Sequence, residues 1–220
     1  MTKTPIHPES SGLPSHIWLA SRSPRRLDLL QTLGVHVEVF LAQNSPEAEA
    51  LEAPFGGEDP VQYVQRVTLL KLNTAIESMR ASSMSGLVLA ADTTVALNKV
   101  ILGKPQDHAE AFNMLSSLSN TSHEVHTAVA CTWLSTNGHT PASQHIVQTS
   151  RVEFAPMPER FILAYIDSGE PFDKAGAYGI QGVVGQYVRH ISGSHSGIMG
   201  LPLFETSELL RQMQTAAQAA

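Results

Sequence analysis

Two rhythms of apolar and polar positions share this chain: short unbroken apolar runs, and longer stretches with apolar residues every third or fourth place. The first suits buried strands and the second amphipathic helices. Residues 17–20 (IWLA) predict a buried strand. Ser23 then stands where an N-cap belongs, and Pro24 where proline suits a first helical turn. Leu27, Leu30 and Leu33 mark one helical face, and Gly34 marks the stop. Residues 35–41 predict a second strand. Residues 43–59 are polar, acidic and glycine-bearing, which predicts a loop. Asp59-Pro60 opens a helix that runs to about residue 80, with Val61, Val64 and Val67 facing inward.

Residues 87–91 (LVLAA) predict a buried strand running into Asp92. Residues 93–97 and 100–102 flank Asn98-Lys99, a tight-hairpin pattern. Asp107 with Glu110 forms a capping-box pair for a helix through Leu118. Residues 123–133 and 145–154 predict long strands joined by a loop at Asn137-Gly138. Pro158 starts a helix that ends near Gly169, glycine-rich loops and short strands follow, and residues 204–213 form a last helix. Helices and strands are interspersed throughout, so the fold class is α/β, a mixed twisted sheet with flanking helices. One domain over residues 17–212 follows a flexible extension over residues 1–16, with no internal repeat.

Composition narrows the function classes. At 220 residues and 42% hydrophobic, the chain buries a core without disulfides or metal staples. Cys131 is the single cysteine, which excludes an intrachain disulfide and a multi-cysteine zinc site. A net charge of -6 argues against binding nucleic acid through bulk charge. No apolar run approaches the roughly 20 residues of a membrane span. Residues 1–16 lack the apolar stretch of a secretory signal. The expectation is a cytoplasmic protein with neither a nucleic-acid nor a membrane partner.

Four constellations can carry chemistry. Ser21-Arg22-Ser23-Pro24-Arg25-Arg26 puts three of the chain's 14 lysines and arginines at one predicted strand-to-helix turn. Helix N-terminal amides, hydroxyls and arginine forks together make a phosphate cradle; the plain alternative is a capped helix with exposed arginines. Asp92-Thr93-Thr94 follows an apolar strand, at the carboxyl end where α/β sheets place ligands. A carboxylate there either holds a divalent metal, activates water, or is an ordinary turn aspartate. Gly103-Lys104-Pro105 lacks P-loop spacing, but its lysine can neutralise a phosphate. The densest stretch is 168–182 (SGEPFDKAGAYGIQG), where Asp173, Lys174 and Gln181 stand among glycines at 176, 179 and 182. Such a loop lets backbone approach a ligand closely. His123-Glu124-Val125-His126 is not H-E-x-x-H, and strand alternation puts the two histidines on opposite faces. Gly193-Ser194-His195-Ser196-Gly197 misses the nucleophile-elbow pattern, with histidine at its centre. Cys131 sits in an apolar run and reads as a core residue.

Taken together, LASRSPRRLDLLQTLG, ADTTVALNKVILGKP, AEAFNMLSSLSNTSHEVHTAVA, SGEPFDKAGAYGIQG and GLPLFETSELL strongly resemble the Maf family of nucleoside triphosphate pyrophosphatases. They occur in family order and span residues 17–210. The resemblance implies two lobes around a nucleotide-binding cleft, as in Maf and ITPase-like folds, often in a dimer. It implies hydrolysis of a nucleoside triphosphate between the α and β phosphates, with a divalent cation, Mg²⁺ or Mn²⁺. It also implies house-cleaning of nucleotide pools and a link to arrest of septum formation. Arg25, Thr93 and Gln181 match the subfamily acting on dTTP and UTP rather than the one acting on 7-methyl-GTP. A nucleotide-binding regulator with little turnover is the reading from another class.

By the same resemblance Asp92 matches the proton acceptor and a metal ligand, and Arg26, Lys71 and Lys104 match positions that hold the triphosphate. Ser21 and Ser23 complete the cradle. The family also carries a catalytic glutamate soon after the second strand. Here the loop is lengthened, and Glu47, Glu49 and Glu52 are all candidates, Glu47 the nearest by ungapped reading.

Overall fold

Strand β1 (His16–Leu19) pairs in parallel with β2 (His36–Val39) on one side and with β3 (Gly86–Leu97) on the other. The remaining pairings are antiparallel: β3 with β4 (Val100–Leu102) and β5 (Ser122–Leu134), β5 with β6 (Gln144–Phe154), and β6 with β7 (Val188–Ser192). The result is one seven-stranded mixed sheet in the order β2-β1-β3-β5-β6-β7, with β4 on β3. The computed structural model describes residues 11–42, 52–135 and 142–218. Glu47, Glu49 and the Asn137-Gly138 turn lie outside the described residues.

The helices are α1 (Pro24–Gln31), α2 (Pro60–Ala81), α3 (His108–Leu118), α4 (Glu159–Asp167), α5 (His195–Met199) and α6 (Leu203–Gln218). The unbroken run LVLAA is apolar because both faces of β3 are covered. Leu87, Leu89 and Ala91 pack with α1 and α6 through Leu30, Leu209 and Leu210, while Val88 and Ala90 pack with α2 through Leu72, Ala75 and Met79. A third core gathers α3, α4 and the far ends of β5 and β6 around Phe154, and takes Val95 from β3. The two lobes therefore share β3 and β5, and β3 leaves one core and enters the other between Ala91 and Val95.

Caps follow the sequence closely. Ser23 accepts from the Arg26 amide with Pro24 behind it, and Asp59 accepts from the amides of Val61 and Gln62 with Pro60 behind it. Val64 and Val67 are buried on α2, while Val61 is only half-buried. The hairpin residues Asn98 and Lys99 have φ of 50° and 67°, the left-handed pair of a tight β turn. Glu110 caps backwards onto the Gln106 amide, one residue earlier than a standard capping box.

Four expectations need correction. Asp92 does not end a strand, because β3 continues through it to Leu97 in register with β5, Asp92 opposite Ala128. It is β1 that ends: its last bond to β3 is Ala20 N–H to Leu89 O at 2.8 Å, and the chain then turns away at Ser21. Asp92 thus lies just past the end of β1, on a flank of β3 that no strand among the described residues pairs with at that position. Residues 11–16 are not a loose extension, since Leu13 is 5% exposed in a core and Arg211 Nε donates to Ser11 O at 2.9 Å. The 193–200 stretch holds the short helix α5, capped by Ser194. Helix α6 runs on to Gln218, past the expected end at 213.

Candidate active site

The gap beside Asp92 opens into a cleft of about 600 Å³, within the size range of small-molecule sites. One wall is the β1–α1 turn with residues 40–42 and the middle of α2; the facing wall is Lys104 and the 173–181 loop. Among the described residues its lining holds six cationic side chains (Arg22, Arg25, Arg26, Lys71, Lys104, Lys174) and three carboxylates (Glu52, Asp92, Asp173). The whole chain has the reverse balance, 14 cations against 20 acids. An acidic protein that gathers its cations around one cleft is built to attract a polyanion.

Arg26 is the most tightly held of them. Its Nε donates to Gly200 O at 2.9 Å, Nη1 to Ser21 Oγ at 3.2 Å and Nη2 to Thr93 Oγ1 at 3.1 Å. Asp92 Oδ1 lies 3.9 Å from Nη2. Burial pulls the guanidinium below its ordinary range, and Asp92 pushes the other way. Thr127 spends its one proton on Gly197 O at 2.8 Å, so at 2.9 Å the Thr93 hydroxyl donates to Thr127 and accepts from Arg26. The proton of Thr93 is thus committed inward, to the support of Arg26.

Asp92 faces the second cluster. Lys71 Nζ donates to Asp92 Oδ1 at 2.8 Å and stands 3.1 Å from Glu52 Oε2. Helix α2 aims Lys71 across the cleft while Leu72 next to it fills the core. Glu52 owes its place to a clamp. Arg66, five residues earlier on α2, donates to both Glu58 oxygens at 2.7 and 2.8 Å and to Ala53 O at 3.0 Å. Its guanidinium also lies 4.1 Å over the Phe55 ring. The backbone immediately after Glu52 is therefore tied to the helix that carries Lys71.

Asp92 and Glu52 converge on one ammonium with hard oxygen donors, the ligand type that Mg²⁺ and Mn²⁺ take. The donor set fits the expected divalent cation.

The glycine-rich loop closes the far wall. Arg25 Nη1 bonds Asp173 Oδ2 at 3.1 Å across the cleft, and Lys174 Nζ ties to Glu170 O at 2.6 Å. Gly176 has φ of 67°, and a Cβ there would meet Val95 Cγ1 at 2.9 Å, so the loop seats on β3 only with glycine. Tyr178 buries its ring beneath, its hydroxyl 2.7 Å from His123 Nε2.

The structure brings Ser21, Ser23, Arg25, Arg26, Lys71, Asp92, Thr93, Lys104 and Gln181 to one cleft. Glu52 joins them. Glu47 lies outside the described residues. Gln181 is exposed at the rim rather than buried. Sequence reasoning missed Thr127 and the carbonyls of Gly197 and Gly200. Ser194 and Gly200, the cap residues of α5, were the available signal. Cys131 is buried in the core, and burial pushes its thiol up to about 12, so it is no nucleophile at neutral pH. No helix among the described residues is long and apolar enough to cross a membrane.

Comparison with known proteins adds relatives to this geometry. A family model described as Maf-like protein matches residues 16–213. A dTTP/UTP pyrophosphatase of Ralstonia nicotianae is 51% identical over 198 residues, covering 90% of this chain and 93% of that protein. One of Albidiferax ferrireducens is 48% identical, covering 89% and 95%. One of Cupriavidus pinatubonensis is 50% identical, covering 90% and 96%. Among solved structures, a nucleoside-triphosphatase (dITP/XTP pyrophosphatase) of Mycobacterium abscessus is 17% identical over 65% of this chain and 76% of that one, with a TM-score of 0.38.

Proposed function

The chain belongs to the family of Maf-like proteins, and from that premise we propose that it hydrolyses dTTP and UTP to the monophosphate and pyrophosphate. Close relatives bearing that activity in their names support the substrate class. The observation that carries the reading is the line Arg26–Asp92–Lys71–Glu52 in a cation-rich cleft.

Asp92 accepts a proton from the attacking water, whose oxygen bonds to phosphorus as the link between the α and β phosphates breaks. Pyrophosphate leaves with the electron pair of that bond. Charge grows on phosphate oxygens in this step, and fixed cations stabilise it without reorganising. Arg26 is fixed by Gly200, Ser21 and Thr93 before substrate arrives. Lys104 and the amino end of α1 add positive potential from the two walls. Asp92 and Glu52 would hold the divalent cation, which when bound supplies charge neutralisation and orientation of the phosphates. Gln181 at the rim and Arg25, bonded across the cleft to Asp173, would contact the base or sugar, and Thr93 contributes by holding Arg26. The enzyme works on nucleotide pools in the cytoplasm.

A pyrophosphate-release screen with Mg²⁺ against dTTP, UTP, CTP, GTP and 7-methyl-GTP tests the substrate assignment. Turnover led by dTTP and UTP is the expected result. Preference for 7-methyl-GTP would overturn the assignment of Arg25, Thr93 and Gln181, and binding without turnover would favour a regulator.

A further inference from the structure

A second set of metal-ligating side chains lies on β1 and β2, outside the lining of the cleft. His16 and His36 are direct partners in the β1–β2 register, and Glu38 follows His36 on the same face. Strand pairing therefore puts three donors on one small patch. The Nε2 atoms of both histidines aim at the same oxygen, Glu38 Oε1, at 3.0 Å from His16 and 3.5 Å from His36. One ligand atom from each residue lies within 4.8 Å of the others.

These spacings match a particular ion. Ligands at the 2.0–2.1 Å bond lengths of Zn²⁺ in a tetrahedron stand about 3.3 Å apart. Two of the three edges are already at that spacing. The third closes by rotation of His36, whose side chain is 70% exposed. His16 is less free: its ring meets Trp18 edge-on at 4.8 Å, and Trp18 Nε1 is fixed to Ser85 O at 3.0 Å. One ligand is thus preorganised and the others adapt. Two imidazoles and one carboxylate are borderline donors, suited to Zn²⁺, Ni²⁺ or Cu²⁺ and poorly suited to Mg²⁺.

We propose that His16, His36 and Glu38 form a site for a first-row divalent transition ion, Zn²⁺ in particular, that clips the edge strand β2 to β1. Among the described residues, strand β2 is the edge of the sheet and pairs only with β1. Residues 40–42, which continue from it, form part of the cleft wall. Glu38 precedes the cleft-lining Phe40 by two residues, and none of the three donors lines the cleft itself, so the clip braces the wall without being part of the described site. An ion bound only by the folded chain stabilises it by mass action.

The test is Zn²⁺ titration of the untagged, full-length chain by calorimetry, in excess Mg²⁺ to occupy carboxylate sites, with thermal unfolding in parallel. One equivalent of Zn²⁺ is expected, with a rise in Tm. Both exposed-residue variants, His36→Ala and Glu38→Gln, should bind at least about tenfold more weakly and lose the Tm rise, as befits removal of one of three ligands. Cu²⁺ in place of Zn²⁺ should show two imidazole nitrogens by electron paramagnetic resonance, and one in His36→Ala. The proposal is overturned by absence of stoichiometric binding to the parent chain. It is equally overturned by binding that both variants leave unchanged, which would place the ion on other histidines.

Discussion

Lys71 stands between two carboxylates, Asp92 and Glu52, and this contact is the ground on which we propose Glu52 as the acting glutamate of the long loop. Among the described residues, Glu52 is the glutamate that lines the cleft, 3.1 Å from the ammonium that also holds Asp92. The ungapped reading favours Glu47, because sequence distance from β2 is the only ruler it has. The described part of the loop, 52–58, is held by the Arg66 fork on Glu58 and Ala53, a tertiary contact with no local signature. Glu52→Gln should lower Mg²⁺-dependent turnover by about 10²-fold or more, on the scale of losing a group that acts in the transition state. Glu47→Gln and Glu49→Gln should stay near the parent rate. Steady-state kinetics on the three variants decides the matter, and a large loss confined to Glu47→Gln would return the role to that residue.

Capping and turn chemistry operate at the level of elements, and there the sequence is most readable. Ser23-Pro24, Asp59-Pro60 and Asp107 all cap the helices that their spacing predicts. Asn98-Lys99 turns the expected hairpin. These signals are local, so they survive without knowledge of the fold. What was not local was not legible. Nothing near Asp92 reveals that β1 stops beside it, and Arg26 finds its partners at Thr93 and Gly200, far along the chain. Asp59→Ala should cost about 1 kcal/mol, the usual value of an N-cap, seen as a lower urea midpoint with an unchanged slope. Gly176→Ala should cost more, about 1–3 kcal/mol, because its positive φ and the Val95 contact are both strained by a Cβ. Equal stability of Gly176→Ala and parent would mean that the loop does not seat on β3 as described.

Across the whole molecule, buried imidazoles contribute to the loss of stability in acid. Burial lowers His123 from 6.5 to about 4, and lowers His126 in the same direction. A depressed histidine is neutral in the folded state while its unfolded counterpart takes a proton. The stability that neutral His123 contributes is therefore complete above pH 6.5 and drains away as pH falls from there toward 4. For His123 the loss is at most about 3 kcal/mol over that window. Urea unfolding between pH 7 and 4.5 should show the decline, and His123→Gln should flatten it. A profile of parent and variant with the same slope would remove His123 from the account. The same scale explains why the fold class was legible and the active-site wiring only in part. Interspersed apolar runs and helical periodicities identify an α/β sheet, whereas the meeting of two lobes along β3 emerges only from packing.

Cutting of a triphosphate between the α and β phosphates at the cleft around Asp92, as proposed, leaves distinctive products. The most direct check is to identify the products of dTTP with Mg²⁺ by ³¹P NMR, for the parent and for Asp92→Asn. The account expects dTMP and pyrophosphate in equal amounts, with the rate lowered by about 10²–10⁴-fold in the variant, the usual share of a general base. Release of orthophosphate and dTDP, or an undiminished rate in Asp92→Asn, would contradict it.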